Sequence, residues 1–325
     1  MTLSKIHWQL DQENHSEINY MNHNLASYRM RLGLTLNKNF KHKISVGYKF
    51  NNQAKIVLLP KITKNYEDIL VFLDKYKKAN AKVILDYTDN HYLIKSKHHN
   101  FYKRVFDNNL IDQVLVVSNK MKKLVETFFK GYIEIIPDPL EIKNQKITYV
   151  NQNNFLWFGH MSNFEYLIKK LNEWPKAKIN TLKVITNYTP DMLPYFRNVM
   201  TPYLKEIFNF FELYPWSHDH LINQSKNIDK IIIPGNKEDL KKTGVSSNRL
   251  ITSFALGKMI AATNYDSYMP YSDYYVDIDN EKNFNDFIKD NFKEDFVKNA
   301  MRNVLPNYSK ELISRKWEDF ISNLL

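Results

Sequence analysis

The chain has 325 residues, and its 46 lysines and arginines outnumber its 35 acidic residues for a formal net charge of +11 at pH 7. Hydrophobic residues make up 43% and aromatic residues 14%, which is enough for a core and excludes disordered and collagen-like chains. Because cysteine is absent, disulfide scaffolds, zinc–thiolate sites and thiol nucleophiles are also excluded. The sequence has no apolar run of membrane-spanning length and no secretory signal near residue 1, so we expect a cytoplasmic protein.

The first half of the chain alternates β-branched runs with helical patterns. An early strand region surrounds Trp8, and a helix is predicted over 24–36. Strands are then predicted over 55–59, 82–86, 113–117 and 133–136. Apolar residues spaced three or four apart predict the intervening helices over 65–79, 98–108 and 119–129. This alternation predicts a parallel sheet covered by helices on both faces.

The same alternation restarts after a polar stretch over 143–154, which is the best candidate linker. Strands are predicted over 155–158, 181–185, 207–213, 229–233 and 259–262, with helices over 163–172, 218–226 and 247–256. The pattern after residue 280 is helical and ends in an amphipathic helix over 309–324. We therefore predict an α/β protein with two doubly wound, Rossmann-like domains, over 1–145 and 155–305. Residues 306–325 are predicted to pack back on the first domain.

Ligands of doubly wound sheets bind beyond the carboxyl ends of the strands, so two such domains are expected to face one cleft. The most informative stretch for this prediction precedes the strand over 259–262. Ser246, Ser247 and Asn248 are residue types that open helices, and the free N–H groups of a helix start bind anions. Arg249 adds a forked donor that matches phosphate oxygens, and Lys242 lies shortly before it. The alternative is an ordinary capped helix in which Arg249 meets a surface carboxylate.

Carboxylates also follow two strands of the first domain. Asp86 and Asp89 come after the run over 83–85, and Asp138 is held between two prolines after the run over 133–136. A rigidly held carboxylate can deprotonate an acceptor hydroxyl or act as a nucleophile in sugar transfer. The alternative is that these aspartates only form turns and caps.

Three further residues are candidates for binding anions. His160 follows Gly159 at the end of a strand and could donate a hydrogen bond to a phosphate or to a leaving group. Only seven arginines occur, and two of them, Arg29 and Arg31, lie two residues apart on the early helix. This pair predicts recognition of an acceptor anion, and a solvated helix face is the alternative.

Several other classes of function lack their fingerprints. The sequence contains no Gly-x-Gly-x-x-Gly, Walker, HExxH or Gly-x-Ser-x-Gly motif, which argues against dehydrogenases, NTPases, zinc proteases and serine hydrolases. The acidic pair Asp277 and Asp279 superficially resembles a metal motif, but we expect no metal and no cofactor, since two doubly wound domains normally need none.

Five motifs together resemble bacterial glycosyltransferases of the GT-B type, chiefly those that build surface polysaccharides. The first motif is the helix start Ser-Ser-Asn-Arg-Leu over 246–250, together with Gly257 and the Asp-Ser-Tyr segment over 266–268. The other four are the stretch over 85–91, Ile-Pro-Asp-Pro over 136–139, Leu-Trp-Phe-Gly-His over 156–160, and Ser-Tyr-Arg-Met-Arg over 27–31. Retaining β-Kdo transferases share this layout. The chain departs from the commonest retaining members, because Gly244 and Thr252 occupy the positions of their glutamate pair.

The resemblance implies a metal-independent, retaining enzyme that transfers a sugar from a nucleotide-activated donor, with CMP-Kdo as the favoured donor, to a polysaccharide or glycolipid. It implies a donor site at residues 246–249 with Lys242, acceptor contacts at Arg29 and Arg31, and catalytic roles for Asp138, Asp86, Asp89 and His160. Peripheral contact with a membrane is compatible with the excess of lysine. One alternative is a basic nucleic-acid-binding protein. The dispersed lysines and the absence of an RNA-binding motif argue against it. The other alternative is a noncatalytic carbohydrate-binding scaffold of the same fold.

Overall fold

A computed structural model of the chain describes residues 5–12, 26–33, 40–150, 153–173, 179–289 and 293–325. These residues form two compact units. Unit 1 comprises Met1–Glu141, Glu238–Ser246 and Tyr308–Leu325, and unit 2 comprises Ile142–Lys237 and Ser247–Asn307. No helix within the described ranges has the length and apolarity needed to cross a membrane.

Unit 1 contains a six-stranded sheet in which every strand pair is parallel, in the order β2-β1-β3-β4-β5-β6. The strands are β1 (Ile6–Gln9), β2 (Ile44–Gly47), β3 (Ile56–Leu59), β4 (Lys82–Tyr87), β5 (Gln113–Val116) and β6 (Tyr132–Ile135). The helices are α1 (Tyr66–Lys78), α2 (His99–Asp107) and α3 (Asn119–Val125). Most residues of β3, β4 and β5 are buried, as expected for parallel strands covered on both faces.

The other face of this sheet is covered by segments that come from both ends of the chain. Tyr28–Gly33 forms a π-helical segment whose six residues are all buried. The terminal helix packs here too, since the indole of Trp317 lies 6.3 Å from that of Trp8 between ring centroids and both side chains are fully buried. The chain ends are thus joined through one apolar core.

Unit 2 repeats the architecture with a second parallel sheet in the order β12-β11-β10-β7-β8-β9. Its strands are β7 (Asn154–Gly159), β8 (Ile179–Thr186), β9 (Phe208–Pro215), β10 (Lys230–Ile233), β11 (Met259–Ala262) and β12 (Val276–Asp277). Its helices are α4 (Phe164–Glu173), α5 (Leu193–Tyr195), α6 (Thr201–Ile207), α7 (His218–Ser225), α8 (Asn248–Ala255), α9 (Glu281–Lys289) and α10 (Glu294–Val304). The terminal helix of unit 1 is α11 (Lys310–Ser322).

The structure confirms the predicted α/β class and the two doubly wound parallel sheets. Three features differ from the sequence-based expectation. The edge strand β2 and the helical turns over 190–207 were not predicted, because neither stretch has a clear apolar period. The segment Glu238–Ser246, which the sequence places within the second domain, packs with unit 1, where Ser118 Oγ donates a hydrogen bond to Gly244 O at 2.8 Å.

Gly244 is the position in this segment at which a side chain does not fit. Its φ is +73°, and a Cβ placed on it would lie 2.7 Å from the backbone nitrogen of Met121 at the start of α3. A second glycine with a positive φ, Gly257, follows the end of α8 with a φ of +67°, which is the usual geometry of a left-handed helix cap.

Candidate functional site

The order of strands in unit 2 reverses at β7, which has β10 on one side and β8 on the other. Doubly wound sheets bind ligands at such a reversal, beyond the carboxyl ends of the strands. Gly159 is the last residue of β7, and it lies against the side chain of Arg249 from the first turn of α8. A Cβ placed on Gly159 would be 3.1 Å from Arg249 Cζ, a tight contact that would require the guanidinium to shift by a few tenths of an ångström.

Arg249 is a buried cation without a carboxylate. Its Nε and Nη2 atoms are inaccessible to solvent and make no hydrogen bond to any described residue, although the residue as a whole is partly exposed. Its guanidinium carbon lies 5.3 Å from the ring centroid of Trp157 and 5.8 Å from that of Phe158. No ion pair joins Arg249 to any residue that the structure describes, so the predicted alternative of a surface carboxylate partner is not observed.

The surroundings of Arg249 disfavour its charge. Burial lowers the pKa of the guanidinium, and nearby Tyr268 and Tyr265 offset only part of that effect. An arginine remains protonated in proteins even so. An unpaired buried cation with two orphaned N–H donors is costly for folding, and an anion with two oxygens is the ligand that would satisfy it.

A tyrosine-rich segment after β11 lies close to this arginine. The Tyr265 hydroxyl accepts a hydrogen bond from the backbone N–H of Asn236 at 3.0 Å, and a Cβ on Gly235 would clash with the same hydroxyl. Tyr268 is buried, which raises the pKa of its phenol to about 12. The buried hydroxyl of Ser267 makes no hydrogen bond to any described residue, so it is an unsatisfied polar group in addition to the guanidinium of Arg249.

His160 occupies the loop directly after Gly159. Its Nδ1 accepts a hydrogen bond from the backbone N–H of Ser162 at 3.2 Å and lies 2.9 Å from that residue's hydroxyl oxygen. The neutral ring therefore carries its hydrogen on Nε2. The imidazole caps the turn Met161–Asn163, as the side chain that opens a helix does.

The residues predicted to hold the donor fall into two groups. Ser247 and Asn248 begin α8 in unit 2, and Ser247 O accepts the N–H of Ile251 at 3.0 Å. Ser246 and Lys242 belong to unit 1, where the charge of Lys242 contributes to lowering the pKa of Asp89. Their roles toward a donor stay predictions.

In unit 1, two of the predicted carboxylates surround the predicted arginine Arg31. Its Nε lies 3.1 Å from Asp138 and 3.5 Å from Asp86, and its Nη1 donates to Ile136 O at 2.8 Å. Arg31 is fully buried, with its guanidinium carbon 5.6 Å from the ring of Trp317. Burial raises the pKa of Asp86 to about 6, Arg31 opposes that rise, and Asp138 adds to it.

Arg29 is also committed to a partner within the chain. Its Nε donates to the Glu141 carboxylate at 2.7 Å, and both side chains are buried. Neither Arg29 nor Arg31 lies on a solvated helix face, so that alternative is wrong. Burial among carboxylates of unit 1 also argues against direct contact between these arginines and an acceptor anion. The expectation that they read the acceptor stays untested.

Asp89 lies in a different environment at the end of β4. Its carboxylate accepts a hydrogen bond from Lys61 Nζ at 2.6 Å and lies 3.8 Å from Nε2 of His91. Burial opposes ionisation of Asp89, but the charges of Lys61 and His91 outweigh it and lower its pKa to about 2. Burial in turn lowers the pKa of His91 to about 4, so this imidazole is neutral at pH 7.

Sequence reasoning missed Lys61 and Asp11, which follow β3 and β1 at the strand reversal of the first sheet. Asp11 is buried and accepts hydrogen bonds from both the N–H and the hydroxyl of Thr63 at 2.8 Å. Each residue lies two positions after the end of a strand, which is the same kind of signal that identified Asp86 and Asp89. The sequence predicts the strand before Asp11 only as a region around Trp8, so the residue at which this strand ends could not be predicted.

The described residues contain no group of three histidine, aspartate or glutamate side chains that could hold a metal ion. The acidic pair Asp277 and Asp279 instead faces Lys237, whose Nζ lies 3.7 Å and 3.6 Å from the two carboxylates.

Comparison with solved structures shows the same two-domain fold in proteins of very low sequence identity. The structure of TarM gives a TM-score of 0.59 at 14% identity and matches 85% of this chain. The match spans 55% of TarM, so this chain corresponds to little more than half of that protein. HepE of Anabaena, in complex with UDP-glucose, gives a TM-score of 0.66 at 11% identity over 99% of this chain and 100% of its own.

An alpha-glucosyltransferase in complex with UDP gives a TM-score of 0.61 at 9% identity over 98% of both chains. No protein-family model matches the sequence, and no curated protein matches it. These likenesses establish the GT-B type of two-domain fold.

Proposed function

We propose that the protein is a glycosyltransferase that uses a nucleotide-activated sugar as donor. The observation that carries the proposal is the unpaired, buried guanidinium of Arg249 beside Gly159, at the strand reversal of unit 2. The donor supplies a phosphate group, which is the anion best matched to the fork of orphaned N–H donors. The fold neighbours support this choice, since HepE and the alpha-glucosyltransferase are described with UDP-glucose or UDP.

In this proposal Arg249 acts on the leaving group. The bond between the sugar and the phosphate oxygen breaks, and negative charge accumulates on that oxygen as the nucleotide departs. A fixed cation in a site of low dielectric stabilises such charge without reorganisation. His160 Nε2 and the N–H groups of the first turn of α8 are further donors for the phosphate, and Ser267 offers its unsatisfied hydroxyl.

For the nucleotide we propose a uridine diphosphate sugar first. The resemblance noted from the motifs favours CMP-Kdo, but HepE, TarM and the alpha-glucosyltransferase are each described with UDP. CMP-Kdo is therefore the second donor to test. We propose a polysaccharide or a lipid-linked glycan as acceptor, which agrees with the motif resemblance and with a TarM complex that contains Fondaparinux and alpha-GlcNAc-glycerol.

The proposed catalytic carboxylates are those of unit 1. Asp138 is the first choice because Arg31 holds its oxygen at 3.1 Å and thereby fixes its direction. It would either take the proton of the acceptor hydroxyl or attack the anomeric carbon in a retaining reaction. Asp86, with a pKa of about 6, is the second choice. Asp89 is a weak base because its pKa is about 2, so we propose that it orients an acceptor hydroxyl instead.

Binding and turnover test the proposal separately. Addition of UDP should raise the Tm of the wild-type protein more than CMP does, and Arg249→Met should abolish that rise. Arg302→Met, which changes an exposed arginine of α10, is the matched control and should behave as wild type. Asp138→Asn should keep the UDP-induced rise in Tm but lose sugar transfer. Unchanged UDP binding in Arg249→Met would remove the donor site from this position.

Nucleic-acid binding is the second candidate, because one observation favours it. The alpha-glucosyltransferase is also described in complex with UDP and a 13-mer DNA, and this chain carries a net charge of +11. Binding to duplex DNA that weakens steeply with salt, and a transferase activity that depends on DNA as acceptor, would support it. A protein that binds UDP but turns over no donor with any acceptor would instead fit the noncatalytic scaffold.

A further inference from the structure

One buried arginine, Arg31, contacts both the terminal helix α11 and the candidate catalytic residue Asp138. The guanidinium carbon of Arg31 lies 5.6 Å from the ring centroid of Trp317 on α11, and both side chains are fully buried. The Nε of the same guanidinium lies 3.1 Å from Asp138 and 3.5 Å from Asp86. A single side chain therefore separates Trp317 from the two carboxylates.

The ion pairs of Arg31 do not by themselves orient its guanidinium. Neither Nε nor Nη2 makes a hydrogen bond to a described residue, so the carboxylates attract the charge without fixing the plane of the group. Nη1 donates to Ile136 O at 2.8 Å and to Pro137 O at 3.4 Å, which fixes one corner of the group. A planar cation stacks on an aromatic face, so the indole of Trp317 supplies the second point of orientation.

The terminal segment also holds the loop that carries Asp138. The N–H of Leu140, two residues after Asp138, donates to Tyr308 O at 2.8 Å. The hydroxyl of Ser309 caps α11 directly after this bond. The bond and the cap together tie the loop of Asp138 to the start of the helix that carries Trp317.

We propose that Trp317 is a positioning residue for sugar transfer. Its ring holds the guanidinium of Arg31 in the plane that directs Nε toward Asp138. Asp138 thereby keeps the direction it needs to take the acceptor proton or to attack the anomeric carbon. This role rests on the proposed function, in which Asp138 is the catalytic carboxylate, and it gives the terminal helix a task beyond filling the core.

Fluorinated tryptophans at position 317 test the contact itself. One to four fluorines on the indole weaken its attraction for a cation stepwise and leave its shape nearly unchanged. We expect kcat for sugar transfer to fall with each added fluorine. The KM for the donor should stay at the wild-type value, because Arg249, the proposed donor contact, lies in unit 2.

Natural substitutions on α11 separate positioning from packing. Trp317→Met removes the ring and should lower kcat about tenfold or more, since a misplacement of about 1 Å can cost a hundredfold. Trp317→Phe keeps an aromatic face and should stay within about threefold of the wild-type kcat. The matched control is Phe320→Met, because Phe320 is buried in the same apolar cluster and stacks on no cation within the described residues. Its kcat should equal that of the wild type.

The outcomes distinguish this role from the proposed function. Normal transfer with one kcat across the fluorinated series would overturn the positioning role and leave the proposed function intact. Equal losses in Trp317→Met and Phe320→Met would overturn it too, since a weaker core would explain both. If Trp317→Met does not fold, the fluorinated series gives the result, because it removes no volume. Absence of transfer in the wild-type protein would refute the proposed function, and the role of Trp317 with it.

Discussion

Replacing Arg249 by methionine should move donor affinity and folding stability in opposite directions. Methionine keeps an apolar stem of similar length against Trp157 and Phe158 but removes the charge and every N–H donor. In the wild-type structure the Nε and Nη2 donors make no hydrogen bond to any described residue, and in our proposal the donor phosphate supplies their partners. The variant therefore loses two charge-assisted hydrogen bonds to the donor phosphate, each worth about 1.5 kcal/mol at the lower bound. That loss corresponds to about a hundredfold weaker binding.

The free protein should gain from the same change. Two buried donors without partners cost about 2 kcal/mol at the lower bound. The cation–π attraction to Trp157 and Phe158 that would be lost contributes about 1 kcal/mol in total. The balance favours the variant by about 1 kcal/mol, which is about 2–4 °C in Tm for a domain of this size. Binding of UDP by calorimetry and thermal unfolding without ligand measure the two effects.

The control Arg302→Met should alter neither quantity by more than about 0.5 kcal/mol, because an exposed residue away from special features contributes little. A lower Tm for Arg249→Met together with unchanged UDP affinity would refute the reasoning, since the guanidinium would then be a structural cation satisfied by its aromatic neighbours.

Three further outcomes are expected. Gly159→Ala places a methyl group 3.1 Å from Cζ of Arg249, so the guanidinium must shift. If the shift weakens one charge-assisted hydrogen bond by about 1.4 kcal/mol, UDP affinity measured by calorimetry should fall about tenfold while Tm changes little; equal affinity would show that the guanidinium can shift freely. Burial raises the pKa of Asp86 to about 6 from 3.8, so its contribution to stability is present below pH 4 and lost as the pH rises through 6. Urea titrations should show Asp86→Asn gaining up to about 3 kcal/mol over wild type at pH 8 and nothing at pH 4. Gly244→Ala should cost about 1–3 kcal/mol, because φ is +73° and the new Cβ meets the backbone of Met121 at the start of α3; a wild-type urea midpoint would contradict this.

The sequence predicted the central strands of both sheets closely. Residues 259–262 form β11 as expected, and β3, β4, β5 and β10 end within one residue of the predicted runs. Strands buried on both faces read as short β-branched runs between helical patterns, and that signal is local. The edge strand β2 is only half buried and lacks such a run, so its pairing with β1 depends on contacts that the sequence does not display.

Part of the candidate site could also be predicted from local sequence patterns. Arg249 lies at the start of a helix that opens with Ser247 and Asn248 and ends at Gly257, and these caps can be recognised without knowledge of the fold. The partners of Arg31 could not be predicted in this way. Asp86 lies near the end of β4 and Asp138 follows β6, and only the parallel order of β4, β5 and β6 and the packing of the early helix bring them to one guanidinium.

The two buried guanidiniums, those of Arg31 and Arg249, therefore differ in how their charge is compensated, although both were predicted to bind anions. Arg31 has two carboxylates and a backbone carbonyl around it, so its charge is compensated inside unit 1 before any ligand arrives. Among the described residues Arg249 has only aromatic rings and phenols beside it, and we propose that a bound anion compensates its charge. A fold that keeps an uncompensated buried cation sacrifices stability, and such losses concentrate at functional sites. Neither burial nor missing hydrogen bonds distinguish the two arginines, because Nε and Nη2 of both make no hydrogen bond to a described residue. The number of nearby oxygens does distinguish them, and it favours unit 2 as the place where an anionic ligand binds.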